Sequence, residues 1–116
     1  MKPVLGMRSL LVLVSSGVML FSVSTLAWSA DSPGKTTFKS KCVLCHGEDG
    51  SGNTPLGKQL QAANLHSPDV QKHTNAELQK VVHDGQTNMP AFADQLSDEE
   101  IAQVIRYVRT FKSGKK

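Results

Sequence analysis

Five residues, Cys42-Val43-Leu44-Cys45-His46, limit what this chain can fold into more than anything else in it. Two thiols three residues apart fall on one helical turn, and a C-x-x-C-H run reads as an attachment site for a c-type haem. Each thiol can form a thioether with one vinyl group of the haem. The imidazole that follows is then placed under the porphyrin, where it can ligate the iron as the proximal ligand.

Other uses of the same residues demand things the chain does not offer. A thioredoxin-like C-x-x-C needs a βαβ setting, and no convincing run of alternating β-branched residues follows residue 30. A structural zinc site needs four ligands. With two cysteines in the chain, the rest would come from His46, His66, His73 or His83, and His66 and His73 are not spaced as the usual H-x3–5-H pair. A disulfide between Cys42 and Cys45 leaves His46 unexplained.

The amino terminus indicates export. Lys2 and Arg8 precede a largely apolar run from Leu10 to Leu26, and small residues follow at Ala27, Ser29 and Ala30. This is the pattern of a secretory signal peptide, so residues 1–30 are expected to be a leader and 31–116 the domain. The periplasm is the expected compartment, where cysteines can meet haem under oxidising conditions. An uncleaved membrane anchor is the alternative, because the apolar run of 17 residues is near the lower limit for spanning a bilayer. Ser15, Ser16, Gly17, Ser22, Ser24 and Thr25 weaken it.

Without the leader, 86 residues remain, enough for one domain with a modest core of its own. A buried haem would enlarge that core, so the fold is expected to depend on its cofactor. Lys2 and Arg8 leave with the leader, so the remainder carries 11 basic and 10 acidic residues, a net charge of +1. That balance is no signature of nucleic-acid binding. Lys35, Lys39 and Lys41 form a local basic run, which reads first as a solvated helix face.

Capping signals predict three helices. Ser32-Pro33 opens one that carries Gly34, Phe38 and Cys42 on one face and delivers the haem motif. Thr74 and Glu77 form a capping box before Leu78, Val81 and Val82, and Gly85 is a natural stop. Ser97 and Glu100 form a second box, with Leu96 and Ile101 as a staple, and Val104, Ile105, Val108 and Phe111 continue the apolar stripe. Lys112, Lys115 and Lys116 complement the dipole of that last helix. Gly47 to Gly57, with four glycines, Asn53 and Pro55, reads as a loop.

Iron held by His46 on one face calls for a partner on the other. Met1, Met7 and Met19 lie in the leader, so Met89 is the only thioether of the remaining chain, and it sits in the non-helical run Asn88-Met89-Pro90-Ala91-Phe92. Histidine–methionine ligation follows from the known options for haem. His66, His73 and His83 compete for the same place, but each reads more naturally as an exposed polar residue.

With these motifs in view, the chain resembles the small bacterial class I c-type cytochromes over about residues 33–112. The resemblance rests on Cys42-Val43-Leu44-Cys45-His46-Gly47, on Met89-Pro90-Ala91-Phe92, and on Tyr107 in the last helix. It implies an all-α fold in which the first and last helices cross around one covalently bound haem c, here through Gly34 and Phe38 against Val104 and Tyr107. It also implies that Pro55 helps orient His46, its backbone region accepting the second imidazole N–H. The expected function is one-electron transfer by a monomer between transient donor and acceptor proteins. Both axial positions of the iron would be filled, which disfavours enzymatic chemistry. The alternatives are a haem enzyme or ligand sensor with a displaceable Met89, and a haem subunit of a larger oxidoreductase complex.

Overall fold

The structure is a computed structural model and describes residues 30–113. The expected leader lies outside the described residues except at Ala30, as do Lys115 and Lys116. Among the described residues there are six α-helices, a closing 3₁₀ turn and no strand. No helix among them is long and apolar enough to cross a membrane.

Helix α1, Pro33–Lys41, starts where its capping signal places it: the Lys35 N–H donates to Ser32 Oγ (3.3 Å) and Pro33 fills the first turn. Helix α2, Val43–His46, follows after a break at Cys42. Helix α5, Asn75–Asp84, and helix α6, Asp98–Thr110, both carry complete capping boxes, Thr74 with Glu77 and Ser97 with Glu100. In each, the glutamate accepts from the cap residue's N–H, and that bond holds its carboxyl below the usual range. Gly85 ends α5 at φ 76°.

Two short helices add to the three that the capping signals predict. Helix α3, Pro55–Leu60, begins inside the Gly47–Gly57 segment, and helix α4, Pro68–Gln71, follows it. Thr54-Pro55 and Ser67-Pro68 repeat the cap-plus-proline signal of α1. Neither helix is long enough to show an apolar period, so only the caps could have revealed them.

Helix α6 is the centre of the fold because its apolar stripe is wide enough to serve two clusters. Val104 and Val108 pack with Phe38, Leu65 and Phe111. Ile101 and Ile105 pack with Val82, Phe92 and Leu96, which joins α5 and the approach to α6. Phe38, at 1% exposure, lies 5.2 Å from the Tyr107 ring and 5.5 Å from Phe111, both tilted. Burial of such a ring contributes about 1.5–3 kcal/mol, and each aromatic pair adds about 0.5–1.5 kcal/mol. The expected meeting of Gly34 and Phe38 with Val104 and Tyr107 is present. At Gly34 the approach is so close that a Cβ would lie 2.0 Å from the Gln103 carbonyl oxygen.

Polar groups tie the intervening segment to α6. Buried Gln71 donates through Nε2 to the carbonyls of Leu65 (2.7 Å) and Val108 (3.2 Å). Arg109 donates to Gln71 O (3.1 Å), to Asn75 Oδ1 (2.8 Å) and to the His73 carbonyl. His66 is not the exposed polar residue expected from sequence. Its ring is half-buried against Phe111, with Nδ1 at the Phe111 carbonyl (2.9 Å) and Nε2 at that of Asp49. His73 and His83 are exposed, as expected. Lys35 and Lys39 are paired with Asp31 at 2.8 Å each, which brings its carboxyl down to about 2.

The Gly34 contact predicts a measurable penalty. Gly34→Ala should destabilise the haem-loaded protein by about 1–3 kcal/mol through overpacking against α6, whereas Ser40→Ala on the exposed side of α1 should change stability by less than about 0.5 kcal/mol. Guanidinium unfolding checks this, and an unchanged midpoint for Gly34→Ala would refute the close approach.

Candidate functional site

Between the two clusters of α6 lies a cleft of about 490 Å³. Its walls are mostly apolar: Phe38 from α1, Leu78, Val81 and Val82 from α5, and Val104, Ile105 and Val108 from α6. Leu60 to Ala63, Val70, and the segment from Gln86 to Pro90 complete the rim. For so small a domain this is a large share of the interior, and its walls suit a broad apolar group that would complete the core from within.

Both thiols, the His46 ring and Met89 line this cleft. Cys42 and Cys45 are half-buried, and their thiols are not joined to each other in the structure. Burial, with Cys45 adding to it, pushes the Cys42 thiol up to about 11. That is the reverse of the lowered value a thiol–disulfide catalyst needs. Among the described residues, no three His, Cys, Asp or Glu side chains are grouped to hold a metal ion, which leaves the zinc reading without ligands. The donor set fits a haem: two thiols for the vinyl groups, and an imidazole and a thioether for iron that the porphyrin already holds.

His46 ends α2, and its Nδ1 lies 3.0 Å from the Ala63 carbonyl oxygen. A nitrogen facing a carbonyl must carry the proton, so Nε2 keeps its lone pair for a metal. Burial lowers the pKa of this imidazole, against a smaller opposite effect of the Ala63 bond, and favours the neutral form that a ligand requires. The orienting carbonyl is therefore that of Ala63. Pro55, to which the family resemblance assigned this role, is instead the exposed first residue of α3. The reason is the extra helix: α3 carries the chain away from Pro55 and brings residues 62 and 63 back beside His46.

Small and hydroxylated residues make that return fit. Gly57 is packed so closely on the motif that a Cβ would lie 2.1 Å from the Cys45 carbonyl oxygen. Thr54 Oγ1 accepts from the Gly57 N–H (2.8 Å) as cap of α3 and donates to the Leu44 carbonyl at 2.8 Å, with that of Cys45 at 3.1 Å. Sequence reasoning missed Thr54 and Ala63. The Thr54-Pro55 cap signal could have found the first. A backbone carbonyl carries no side-chain signature, so nothing could have found the second.

Met89 lies on the other cluster, half-buried against the Val82–Phe92 group. It closes a four-residue turn in which Gln86 N–H donates to Met89 O (3.0 Å) and Met89 N–H to Gln86 O (2.7 Å). Beyond the turn, Phe92 N–H bonds Val82 O (3.0 Å) and Ala93 N–H bonds His83 O (3.2 Å), so the chain folds back along the end of α5.

The chain is similar to proteins of known family and structure. Residues 29–108 match the family described as Cytochrome C oxidase, cbb3-type, subunit III. A cytochrome c6-like protein of Nostoc sp. is 34% identical over 84% of this chain and 86% of its own length. A cytochrome c6 of Tetradesmus obliquus is 33% identical over 72% of this chain and 92% of its own. The cbb3-type cytochrome c oxidase subunit CcoP of Azospirillum brasilense is 29% identical over 75% of the chain, which spans only 30% of that subunit's length. The solved KustC0563 c-type cytochrome superposes with a TM-score of 0.63 at 30% identity, covering 68% of this chain and 96% of that one.

The triple role of Thr54 yields a test of how the motif is held. Thr54→Ala should destabilise the haem-loaded protein by about 1–2 kcal/mol, the usual loss for a helix cap, while Thr54→Ser, which keeps the hydroxyl, should stay within about 0.5 kcal/mol. Denaturant unfolding of both variants measures the difference, and equal effects would show that the hydroxyl does nothing there.

Proposed function

Because the chain belongs to the small monohaem c-type cytochromes, haem-based electron carriers with covalently bound haem c, we propose that it is an exported one-electron carrier whose haem is attached at Cys42 and Cys45 and whose iron is ligated by His46 and Met89. The observation that carries this reading is the convergence of both thiols, the imidazole and the only thioether among the described residues on one apolar cleft. The haem supplies the redox change, one electron between ferrous and ferric iron.

The residues of the chain do the rest. Ala63 holds the His46 ring by Nδ1 and leaves Nε2 directed to ligation. Met89 would hold the iron opposite His46 through a soft thioether that would favour the reduced state and leave no open site for oxygen or peroxide, which disfavours an enzymatic role. Apolar walls exclude water and keep reorganisation on electron transfer small. Leu44 stands between the two cysteines at 72% exposure, an apolar contact for a transient redox partner at the attachment edge. Lys35 and Lys39 are already paired with Asp31, so they contribute little to steering. The chain is proposed to act as a monomer in the periplasm after loss of residues 1–30. The similarity to CcoP supports a second reading, in which it serves as the haem subunit of a terminal-oxidase-type complex.

The protein matured with haem should gain the mass of one haem that survives denaturation, and its ferric form should show the weak far-red sulfur-to-iron charge-transfer band. Met89→Ala should abolish that band, open the iron to cyanide and carbon monoxide, and lower the reduction potential by more than about 59 mV, a tenfold shift for one electron. A wild type that lacks the band and binds these ligands rapidly would replace the carrier with an enzyme or sensor.

Amino-terminal sequencing of the exported product should begin within or just after residues 27–31. A product still beginning at Met1 and sedimenting with membranes would establish the anchor instead. Co-purification in a stable stoichiometric complex would favour the subunit reading.

A further inference from the structure

Only two non-glycine residues among the described ones have positive φ, Gln61 at 57° and Thr87 at 47°. They sit on opposite rims of the cleft, and each is next to one partner of a side-chain hydrogen bond that spans it: Asn88 Nδ2 donates to the Leu60 carbonyl at 3.1 Å, across 28 residues of sequence. Only the amide nitrogen of Asn88 can face a carbonyl, so the orientation of the side chain is fixed by its partner. Leu60 ends α3, where a carbonyl has no acceptor role left inside the helix.

The turn that carries Met89 is not one that holds itself. Thr87 is β-branched, and a left-handed backbone is unfavourable for such a residue. Conformations of this kind persist when the surroundings over-determine them. Two backbone bonds close the turn on itself, but they would move with it as a unit. Asn88 is the side chain that fastens it to the opposite rim.

We propose that Asn88 is a clasp on the cleft: its bond to the Leu60 carbonyl holds the Met89 turn shut, and it is thereby the positioning residue that sets how readily an outside ligand displaces Met89. This rests on the reading of Met89 as an axial ligand. The clasp also meets the other side of the site, because the same segment, Leu60 to Ala63, accepts from Asn88 at one end and from His46 Nδ1 at the other. One short stretch of backbone therefore registers both proposed ligands against each other.

The test uses the haem-loaded protein, with Asn88→Ala, the isosteric Asn88→Asp, which loses the donor, and Ser40→Ala as a control far from the rim. Imidazole titration of the ferric protein, followed by loss of the far-red band, should give about three- to tenfold tighter binding in both Asn88 variants, the range for one net hydrogen bond. Ser40→Ala should titrate as wild type. Amide exchange should rise by a similar factor across residues 86–90 and stay unchanged in α1 and α6. Wild-type imidazole affinity and exchange in both Asn88 variants would overturn the clasp while leaving the ligand assignment standing. A uniform rise of exchange over all helices would also overturn it, by making Asn88 a general stabilising contact. A wild type without the far-red band would bring down the ligand reading and the clasp with it.

Discussion

The approach of α1 to α6 at Gly34 is the constraint from which the rest of the structure follows. A helix can come so near another only where one side chain is missing, and here the missing side chain lets backbone meet the Gln103 carbonyl directly. With that distance set, Phe38 one turn on falls between Tyr107 and Phe111. Cys42 then emerges at the edge of the cleft, one further turn along the same face. The register of the haem motif against the last helix is thus decided eight residues before the motif begins.

Helix α6 in turn explains why the interior is divided. Its stripe buries residues toward α1 and toward α5, and the two clusters it serves do not merge but flank the cleft. Each is small, and a domain of this size has little stability to spare. The polypeptide therefore supplies two halves of a core, and a broad apolar group joins them. The donors are divided in the same way, with Cys42 packed against the first cluster and Met89 against the second.

Much of this was legible in the sequence wherever side chains announce local geometry. Ser32-Pro33 and the boxes Thr74/Glu77 and Ser97/Glu100 place α1, α5 and α6 within a residue of where they lie, because a cap is a local bond between a named hydroxyl or carboxylate and the first turn. The stretch from Gly47 to His73 was less legible. Helices of four to six residues leave no period to read, and glycines that seem to mark a loop here serve close packing, as Gly57 does against Cys45. The orientation of His46 by Ala63, and of the Met89 turn by Leu60, depends on backbone carbonyls brought from elsewhere in the chain. No residue type encodes such an acceptor, so the identity of the donor is readable and its partner is not. His66 follows the same rule, since both of its contacts are main-chain oxygens.

The fan of hydrogen bonds from Arg109 ties Gln71, His73 and Asn75 to the last turn of the last long helix. A wall of the cleft is therefore finished by contacts between residues more than thirty positions apart in the chain. The haem motif and its sequence neighbours cannot build that wall by themselves, so the pocket around the cysteines closes only when the last helix has docked.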